Sequence, residues 1–224
     1  SENRSVKILV KKGVEVINKL SLERIPDYMK EEDVIVVYTP AIPDDNIFLK
    51  YFRSNGNNPI FKRSEILGEI SKQSKCIAVA GTHGKTTTTA IISHLFHSSG
   101  IHFKAFIGGI MKCFDSNYIN TGNDYIIVEA DEYDRSFLNL NVNYAVITSI
   151  ENDHLDVYGD FKSLTESFQS FANNVKDVLI TDAEIKLDKD FSFSIKNDSD
   201  YYLNNIDILE NEIRFDLKTP NNFY

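Results

Sequence analysis

Residues 76–89 read Cys-Ile-Ala-Val-Ala-Gly-Thr-His-Gly-Lys-Thr-Thr-Thr-Thr. The first five residues, apolar or small, predict a buried β-strand, and the residues that follow Lys85 predict a helix. A glycine-containing turn between a strand and a helix suits phosphate, because its backbone amides and the positive end of the helix dipole point at the same anion. This stretch therefore predicts an α/β fold with a phosphate-binding turn.

Each part of the turn suits the phosphates of ATP. The glycines let the backbone bend, Lys85 neutralises β- and γ-phosphate charge, and Thr86 offers a hydroxyl to Mg²⁺. The turn is shorter than the general pattern GxxxxGK[ST], because its first glycine is Gly81. A structural alternative is a glycine-rich helix cap beside a surface lysine. The predicted ATP-binding residues are Gly81, Thr82, His83, Gly84, Lys85, Thr86 and Thr87.

Strands and helices alternate on the C-terminal side of the turn. Such alternation predicts a largely parallel sheet that is covered on both faces. The predicted elements are a helix over 86–99, strands over 103–107, 125–129 and 144–148, a helix over 161–174 and a strand over 178–181.

The pattern of polar and apolar residues changes after residue 182. Three segments, 191–195, 201–203 and 212–217, alternate polar and apolar residues between clusters of Asn and Asp. Alternation at period two predicts strands, and turn residues between them favour hairpins. We therefore expect added antiparallel strands at this end of the chain.

The first third of the chain predicts a second, smaller α/β unit. Residues 6–12 predict a helix that stops at Gly13, and 34–38 predict a buried strand. A helix capped by an Asp is expected from Asp44 onward. A further helix over 64–75 ends in polar residues, where we place a domain boundary.

Carboxylates follow the predicted strand that ends at Glu129. In an open parallel sheet, ligands gather beyond the carboxyl ends of the strands. Glu129 is therefore placed to meet the phosphate-binding turn and to hold, with Thr86, one Mg²⁺ ion. The structural alternative, for Glu129 and for Glu132 and Asp134 after it, is an acidic, solvated turn.

His154 follows the next predicted strand and stands between Asp153 and Asp156. A histidine near carboxylates at a strand end is a candidate ligand for a second metal ion, with an Asp as its hydrogen-bond partner. The alternative is that His154 only caps its loop.

Composition limits the classes of partner. The chain has 33 acidic and 24 basic residues and a formal net charge of −9, which argues against nucleic acid as a general partner. No apolar run approaches the ~20 residues that span a bilayer. Cys76 and Cys113 form neither a CxxC pattern nor a disulfide framework, and the N-terminal residues lack a secretory pattern, so we expect a cytoplasmic protein.

Several motifs together resemble the Mur ligases of peptidoglycan synthesis. Within the family they are most similar to the L-alanine-adding branch, and the similarity covers about residues 5–185. The motifs are 80–89 (Ala-Gly-Thr-His-Gly-Lys-Thr-Thr-Thr-Thr), 107–109 (Ile-Gly-Gly), 129–132 (Glu-Ala-Asp-Glu), 136–138 (Ser-Phe-Leu) and 153–159 (Asp-His-Leu-Asp-Val-Tyr-Gly).

The resemblance implies a reaction in which ATP phosphorylates the carboxylate of UDP-N-acetylmuramate and the amine of L-alanine then attacks the acyl phosphate. Lys85, Glu129 and His154 would be catalytic, the phosphate-binding turn would hold ATP, and Asp131 and Glu132 would contact substrate. One Mg²⁺ would be held by Thr86 and Glu129 and a second by His154.

The resemblance also implies two domains. Residues 1–72 would be a truncated, partial Rossmann-like domain that binds the UDP substrate. Residues 73–224 would be an incomplete central ATP-binding domain with a mostly parallel sheet and added antiparallel strands. We expect a fragment that lacks the family's first glycine-rich turn and its third domain, and that does not ligate alone.

Three alternative functions remain. The murein peptide ligase also has Asp-Glu-Tyr-Asp, the sequence found here at 131–134. A folylpolyglutamate synthase would share the central fold, although residues 33–67 favour a UDP-sugar domain. A non-catalytic nucleotide-binding module would keep the turn without the chemistry. The oligomeric state does not follow from the sequence.

Overall fold

A computed structural model describes residues 4–17, 21, 23, 25–30, 34–55, 58–152, 158–196, 198–210 and 212–221. The chain divides into two compact units, Ser1–Ile66 and Leu67–Tyr224. The functional domain boundary expected after residue 72 stays a prediction.

The first unit contains a short parallel sheet in which β1 (Val36–Tyr38) pairs with β2 (Ile60–Lys62). The prediction of a buried strand is wrong, because Val37 in β1 is 49% exposed. Its helices include α1 (Arg4–Lys11) and α2 (Ile47–Asn55), and α3 (Arg63–Ser71) continues into the second unit.

A glycine marks the end of α1, and a capping side chain marks the start of α2. Helix α1 ends just before Gly13, which has a positive φ of 81° and confirms the expected stop. Helix α2 begins after Asn46, whose Oδ1 accepts hydrogen bonds from the amides of Phe48 and Leu49. The expected cap by an Asp is therefore wrong, although the physical reason for a cap is the same.

The second unit is built on one sheet, which has nine strands within the described residues. The strand order is β11-β10-β9-β8-β7-β3-β6-β4-β5. The strands are β3 (Lys75–Ala80), β4 (Phe103–Met111), β5 (Ser116–Asn120), β6 (Tyr125–Glu129), β7 (Tyr144–Ile147), β8 (Val178–Asp182), β9 (Phe191–Ser194), β10 (Tyr201–Ile208) and β11 (Ile213–Lys218).

The sheet is parallel except at its two edges, which confirms a mostly parallel sheet with a few antiparallel strands. Strand β5 is antiparallel to β4, and β11 is antiparallel to β10. The antiparallel pairing of β10 with β11 confirms the prediction for 201–203 and 212–217. However, β9 is parallel to both of its neighbours, β8 and β10, so the prediction of antiparallel pairing for 191–195 is wrong. Alternation at period two identifies a strand but carries no information about its direction.

Helices α4 and α5 pack against the sheet. Helix α4 (Lys85–Ser98) follows β3, and α5 (Phe161–Asn173) begins at Asp160, whose side chain accepts a hydrogen bond from the Ser163 amide. On the α5 side, Phe168 and Phe171 pack against Phe137 with ring centroids 5.2 and 4.9 Å apart. These aromatic contacts form the centre of the larger apolar core.

Strand β3 supplies side chains to both cores. Cys76 and Ala78 belong to the core that includes Phe168, whereas Ile77 packs against the other core, which includes Phe103. Burial raises the pKa of the Cys76 thiol to about 12, so this cysteine stays a neutral core residue. In the part of the chain that the structure describes, no helix is long and apolar enough to cross a bilayer.

The register of three adjacent strands determines where the site lies. Val79 of β3 lies opposite Glu129 of β6, and Ala80 lies opposite Ile147 of β7. The carboxyl ends of β3, β6 and β7 therefore meet at one edge of the sheet, and the segments that follow them lie side by side.

Removing the Phe168 ring tests the aromatic core. Phe168→Ala should lower the free energy of unfolding by about 3–5 kcal/mol, because a fully buried ring is replaced by a cavity. Urea denaturation followed by circular dichroism gives this value.

Phe161→Ala in the same helix is the matched control, because Phe161 is 46% exposed. It should cost less than about 1 kcal/mol. Equal losses for the two variants would contradict the assigned core.

Candidate functional site

The turn between β3 and α4 has the backbone that its glycines predict. Gly81 has a φ of 127° and Gly84 a φ of 82°, both in a region that residues with a Cβ rarely adopt. A Cβ on Gly81 would also come within 2.8 Å of the Ser149 amide nitrogen. Gly81 is therefore required both by its own conformation and by the close approach of the segment after β7.

The segment after β7 holds this turn in place. The Thr82 amide donates to the Ser149 carbonyl at 3.0 Å, and the His83 amide donates to Ser149 Oγ at 3.1 Å. The Glu151 amide donates to Thr82 Oγ1 at 2.9 Å, and the Thr148 hydroxyl contacts the carbonyl oxygens of Ala80 and His83. The side chain of Thr82 and the amides of Thr82 and His83 are thus hydrogen-bonded to the segment after β7.

The start of α4 offers a set of backbone donors. The first intrahelical hydrogen bond runs from the Thr88 amide to the Gly84 carbonyl at 2.9 Å, so the amides of Lys85, Thr86 and Thr87 precede it. Among the described residues, no side chain caps this helix start. Together with the positive end of the helix dipole, these three amides form an anion-binding position.

Lys85 lies over the turn and is paired with a carboxylate. Its Nζ donates to the Gly81 carbonyl at 2.6 Å and lies 2.9 and 2.8 Å from the two carboxylate oxygens of Glu132. The Lys85 side chain is 14% exposed and that of Glu132 only 1%. Glu132, expected at the substrate, is therefore paired with Lys85.

Glu129 meets Thr86 at the same edge, as the strand order predicts. The Thr86 hydroxyl donates to Glu129 Oε1 at 2.8 Å, and the Gly108 amide donates to Oε2 at 2.6 Å. A Cβ on Gly108 would lie 2.7 Å from Oε1, so the glycine leaves room for the carboxylate. A hydroxyl and a carboxylate oxygen in contact are ligand types that Mg²⁺ prefers, so these two residues fit that ion.

Asp131 belongs to a tight turn after β6. Its Oδ1 accepts a hydrogen bond from the Tyr133 amide at 3.1 Å, and its carbonyl accepts one from Phe137 at 2.9 Å. The residues Asp134 and Arg135 in this turn have positive φ values of 53° and 54°. The surrounding structure thus holds these two residues in a backbone conformation that residues other than glycine rarely adopt.

The remaining predicted residues are His83 and His154. The imidazole of His83 is exposed and lies 3.7 Å from the Glu151 carboxylate. His154, with Asp153 and Asp156, lies outside the described residues. Within the described ranges, no group of three or more His, Cys, Asp or Glu residues could hold a metal ion.

Sequence reasoning missed Thr148 and Ser149, which fasten the turn. The available signal was a pair of hydroxyl residues directly after a strand that the register places beside β3.

The turn also has open volume on both sides. A cavity of about 540 Å³ is lined by residues 148–151 and the segment after β8, and one of about 590 Å³ is lined by α4 and the end of β4.

Curated relatives are similar to almost the whole chain. The UDP-N-acetylmuramate--L-alanine ligase of Christiangramia forsetii is 41% identical over 96% of this chain, and that of Flavobacterium psychrophilum is 40% identical over 95%. These matches cover 48% and 47% of the two relatives. The chain therefore spans about half the length of the curated relatives it matches.

Solved structures show the same fold. The UDP-N-acetylmuramate-alanine ligase from Thermotoga maritima matches with a TM-score of 0.87 and 28% identity, over 100% of this chain and 52% of that one. The UDP-N-acetylmuramate:L-alanyl-gamma-D-glutamyl-meso-diaminopimelate ligase from Neisseria meningitides matches with a TM-score of 0.81. That match covers 97% of this chain and 73% of the Neisseria protein, and at 18% identity it supports the fold alone.

One family model matches most of the second unit. The Mur ligase middle domain matches residues 79–223, a span that begins in β3 and includes the turn, Glu129 and the Lys85–Glu132 pair. With this match and relatives at 40% identity over nearly the full chain, the chain belongs to the Mur ligase family.

Proposed function

We propose that this chain carries the ATP phosphate site of a ligase that joins L-alanine to UDP-N-acetylmuramate. The observation that carries the proposal is the convergence of Lys85, Thr86 and the first amides of α4 with Glu129 at one edge of the sheet. The names of the relatives at 40–41% identity support the choice of the two substrates.

The first amides of α4 and Lys85 act on the phosphates. The amides hold phosphate oxygens at the positive end of the helix, and the ammonium offsets the negative charge that phosphoryl transfer shifts among those oxygens. Phosphoryl transfer depends mainly on positioning and on electrostatic stabilisation, so the proposed reaction requires no serine or cysteine nucleophile.

Thr86 and Glu129 are the residues that would hold Mg²⁺. The ion supplies charge neutralisation to the phosphates when bound. Glu129 is kept in place for this role by the Gly108 amide, so its carboxylate does not have to be ordered at the moment of binding. His154 stays the proposed ligand of a second ion.

Asp131 stays a proposed substrate contact, because its turn lies next to Glu129 and is fixed by backbone hydrogen bonds. A cytoplasmic location is part of the same proposal. The murein peptide ligase is less well supported, because the Neisseria structure shares the fold at only 18% identity.

Removing the charge of Lys85 tests the phosphate site. Lys85→Met should raise the dissociation constant for MgATP at least about 100-fold, because a charge-assisted contact to phosphate is lost. Isothermal titration calorimetry measures the constant, and circular dichroism checks the fold.

Lys75→Met is the matched control, since Lys75 is the first residue of β3, at the end of that strand opposite the turn. This variant should leave the MgATP affinity within about twofold. The ammonium of Lys75 is separated from the turn by the length of β3, and salt screens the interaction between exposed charges over such a distance. An affinity unchanged by Lys85→Met would contradict the assignment of the turn.

Neutralising Glu129 tests the proposed metal position. Glu129→Gln should reduce the gain in ATP affinity on adding Mg²⁺ by about tenfold or more, because an amide is a poor substitute for an anionic oxygen ligand. ATP affinity without Mg²⁺ should change little or improve. A gain from Mg²⁺ as large as in the unsubstituted protein would place the ion elsewhere.

A further inference from the structure

We propose that Glu132 is a positioning residue that holds the ammonium of Lys85 toward the phosphates and stays paired with Lys85 when ATP binds. This inference rests on the proposed function and deepens it. It also gives Glu132 a different role from the substrate contact that the family resemblance implied.

The burial of the pair is the first argument. The Glu132 side chain is 1% exposed and its carboxylate oxygens lie 2.8 and 2.9 Å from Lys85 Nζ. Such a carboxylate cannot reach a bulky substrate without leaving the interior. A buried carboxylate also depends on its cation, because a charge taken out of water is costly unless it is paired.

The other partners of Lys85 are neutral. Its Nζ contacts the carbonyl oxygens of Gly81 at 2.6 Å and Thr82 at 3.4 Å. An ammonium has three N–H donors. Exchange of a carbonyl for an anionic phosphate oxygen strengthens the contact, whereas release of Glu132 would strand a buried charge. Phosphate oxygens should therefore take the places of the Gly81 and Thr82 carbonyls.

The backbone around Glu132 is fixed on several sides. Its carbonyl accepts hydrogen bonds from the Tyr158 hydroxyl at 2.5 Å and from the Arg135 amide at 2.9 Å. Burial raises the pKa of the Tyr158 hydroxyl, so the tyrosine stays a neutral donor. The Arg135 guanidinium lies over the Tyr158 ring at 5.3 Å from its centroid.

The same turn carries backbone strain and a core anchor. Asp134 and Arg135 have positive φ, which persists only where the surroundings enforce it. Phe137, 1% exposed, closes the turn through the hydrogen bond that its amide donates to the Asp131 carbonyl, and its ring packs in the aromatic core. Glu132 is thus presented to Lys85 from a rigid support, as a positioning residue requires.

The test compares Glu132→Gln, Glu132→Ala, Lys85→Met and the double variant Lys85→Met/Glu132→Gln. The urea midpoint of unfolding is measured without nucleotide, and MgATP affinity is measured by calorimetry. Lys162 and Glu166, an exposed pair 3.7 Å apart in α5, provide a control pair with the same substitutions.

The change in urea midpoint caused by Glu132→Gln should have opposite signs in the unsubstituted chain and in the Lys85→Met variant. Glu132→Gln should lower the urea midpoint in the unsubstituted chain, where it removes the partner of Lys85. The same substitution should raise the midpoint in the Lys85→Met background, where it removes a buried charge that has lost its ammonium. The Lys162 and Glu166 substitutions should be additive, because exposed ion pairs contribute little.

The binding measurements separate positioning from charge. Glu132→Gln keeps an oxygen acceptor for Lys85, so MgATP affinity should stay within about threefold, whereas Glu132→Ala should weaken it about tenfold or more. Tighter binding by both variants would overturn the proposal, because Glu132 would then compete with phosphate for Lys85. Unchanged binding by Glu132→Ala, or additive urea midpoints for Lys85 and Glu132, would overturn it as well. Absence of MgATP binding by the unsubstituted chain would instead overturn the phosphate site, and the positioning role with it.

Discussion

The parallel pairing of β3 with β6 on one side and with β7 on the other is the constraint on which the site depends. It brings Gly81, Ala130 and Thr148, each the first residue after its strand, to a common edge. This register brings Thr86 into contact with Glu129 and allows the turn to form hydrogen bonds with Ser149. A slip of one residue in either pair would turn these side chains to the opposite face of the sheet.

The site combines rigid donors with a small number of charges. The backbone of the turn is held by the segment after β7. The carboxylate of Glu129, at the end of β6, is held by the Gly108 amide, and that of Glu132 is held by the turn that ends at Phe137. Because these groups are ordered before any ligand arrives, binding need not supply the free energy to order them. The acidic character of the chain is compatible with an anionic ligand, because the positive potential is local to Lys85 and the helix start.

Much of this arrangement could be predicted from the sequence. The turn, its flanking strand and helix, and the meeting of Thr86 with Glu129 follow from short patterns whose physics is local or depends only on parallel strand order. The direction of β9 and the β4–β5 hairpin could not be predicted, because alternation at period two does not encode direction and β5 has little apolar signal. The burial of Glu132 depends on the fold of 133–139 and on Tyr158, which no local pattern reveals.

The most direct test of the account is a titration of the ¹⁵N-labelled chain with MgATP, followed by amide chemical shifts in two-dimensional NMR spectra. The largest shifts should occur at the amides of residues 81–87, with smaller shifts at 129–132. The absence of saturable shifts, or shifts confined to the cavity near Leu95 and Cys113, would contradict the claim that this turn binds the phosphates of ATP.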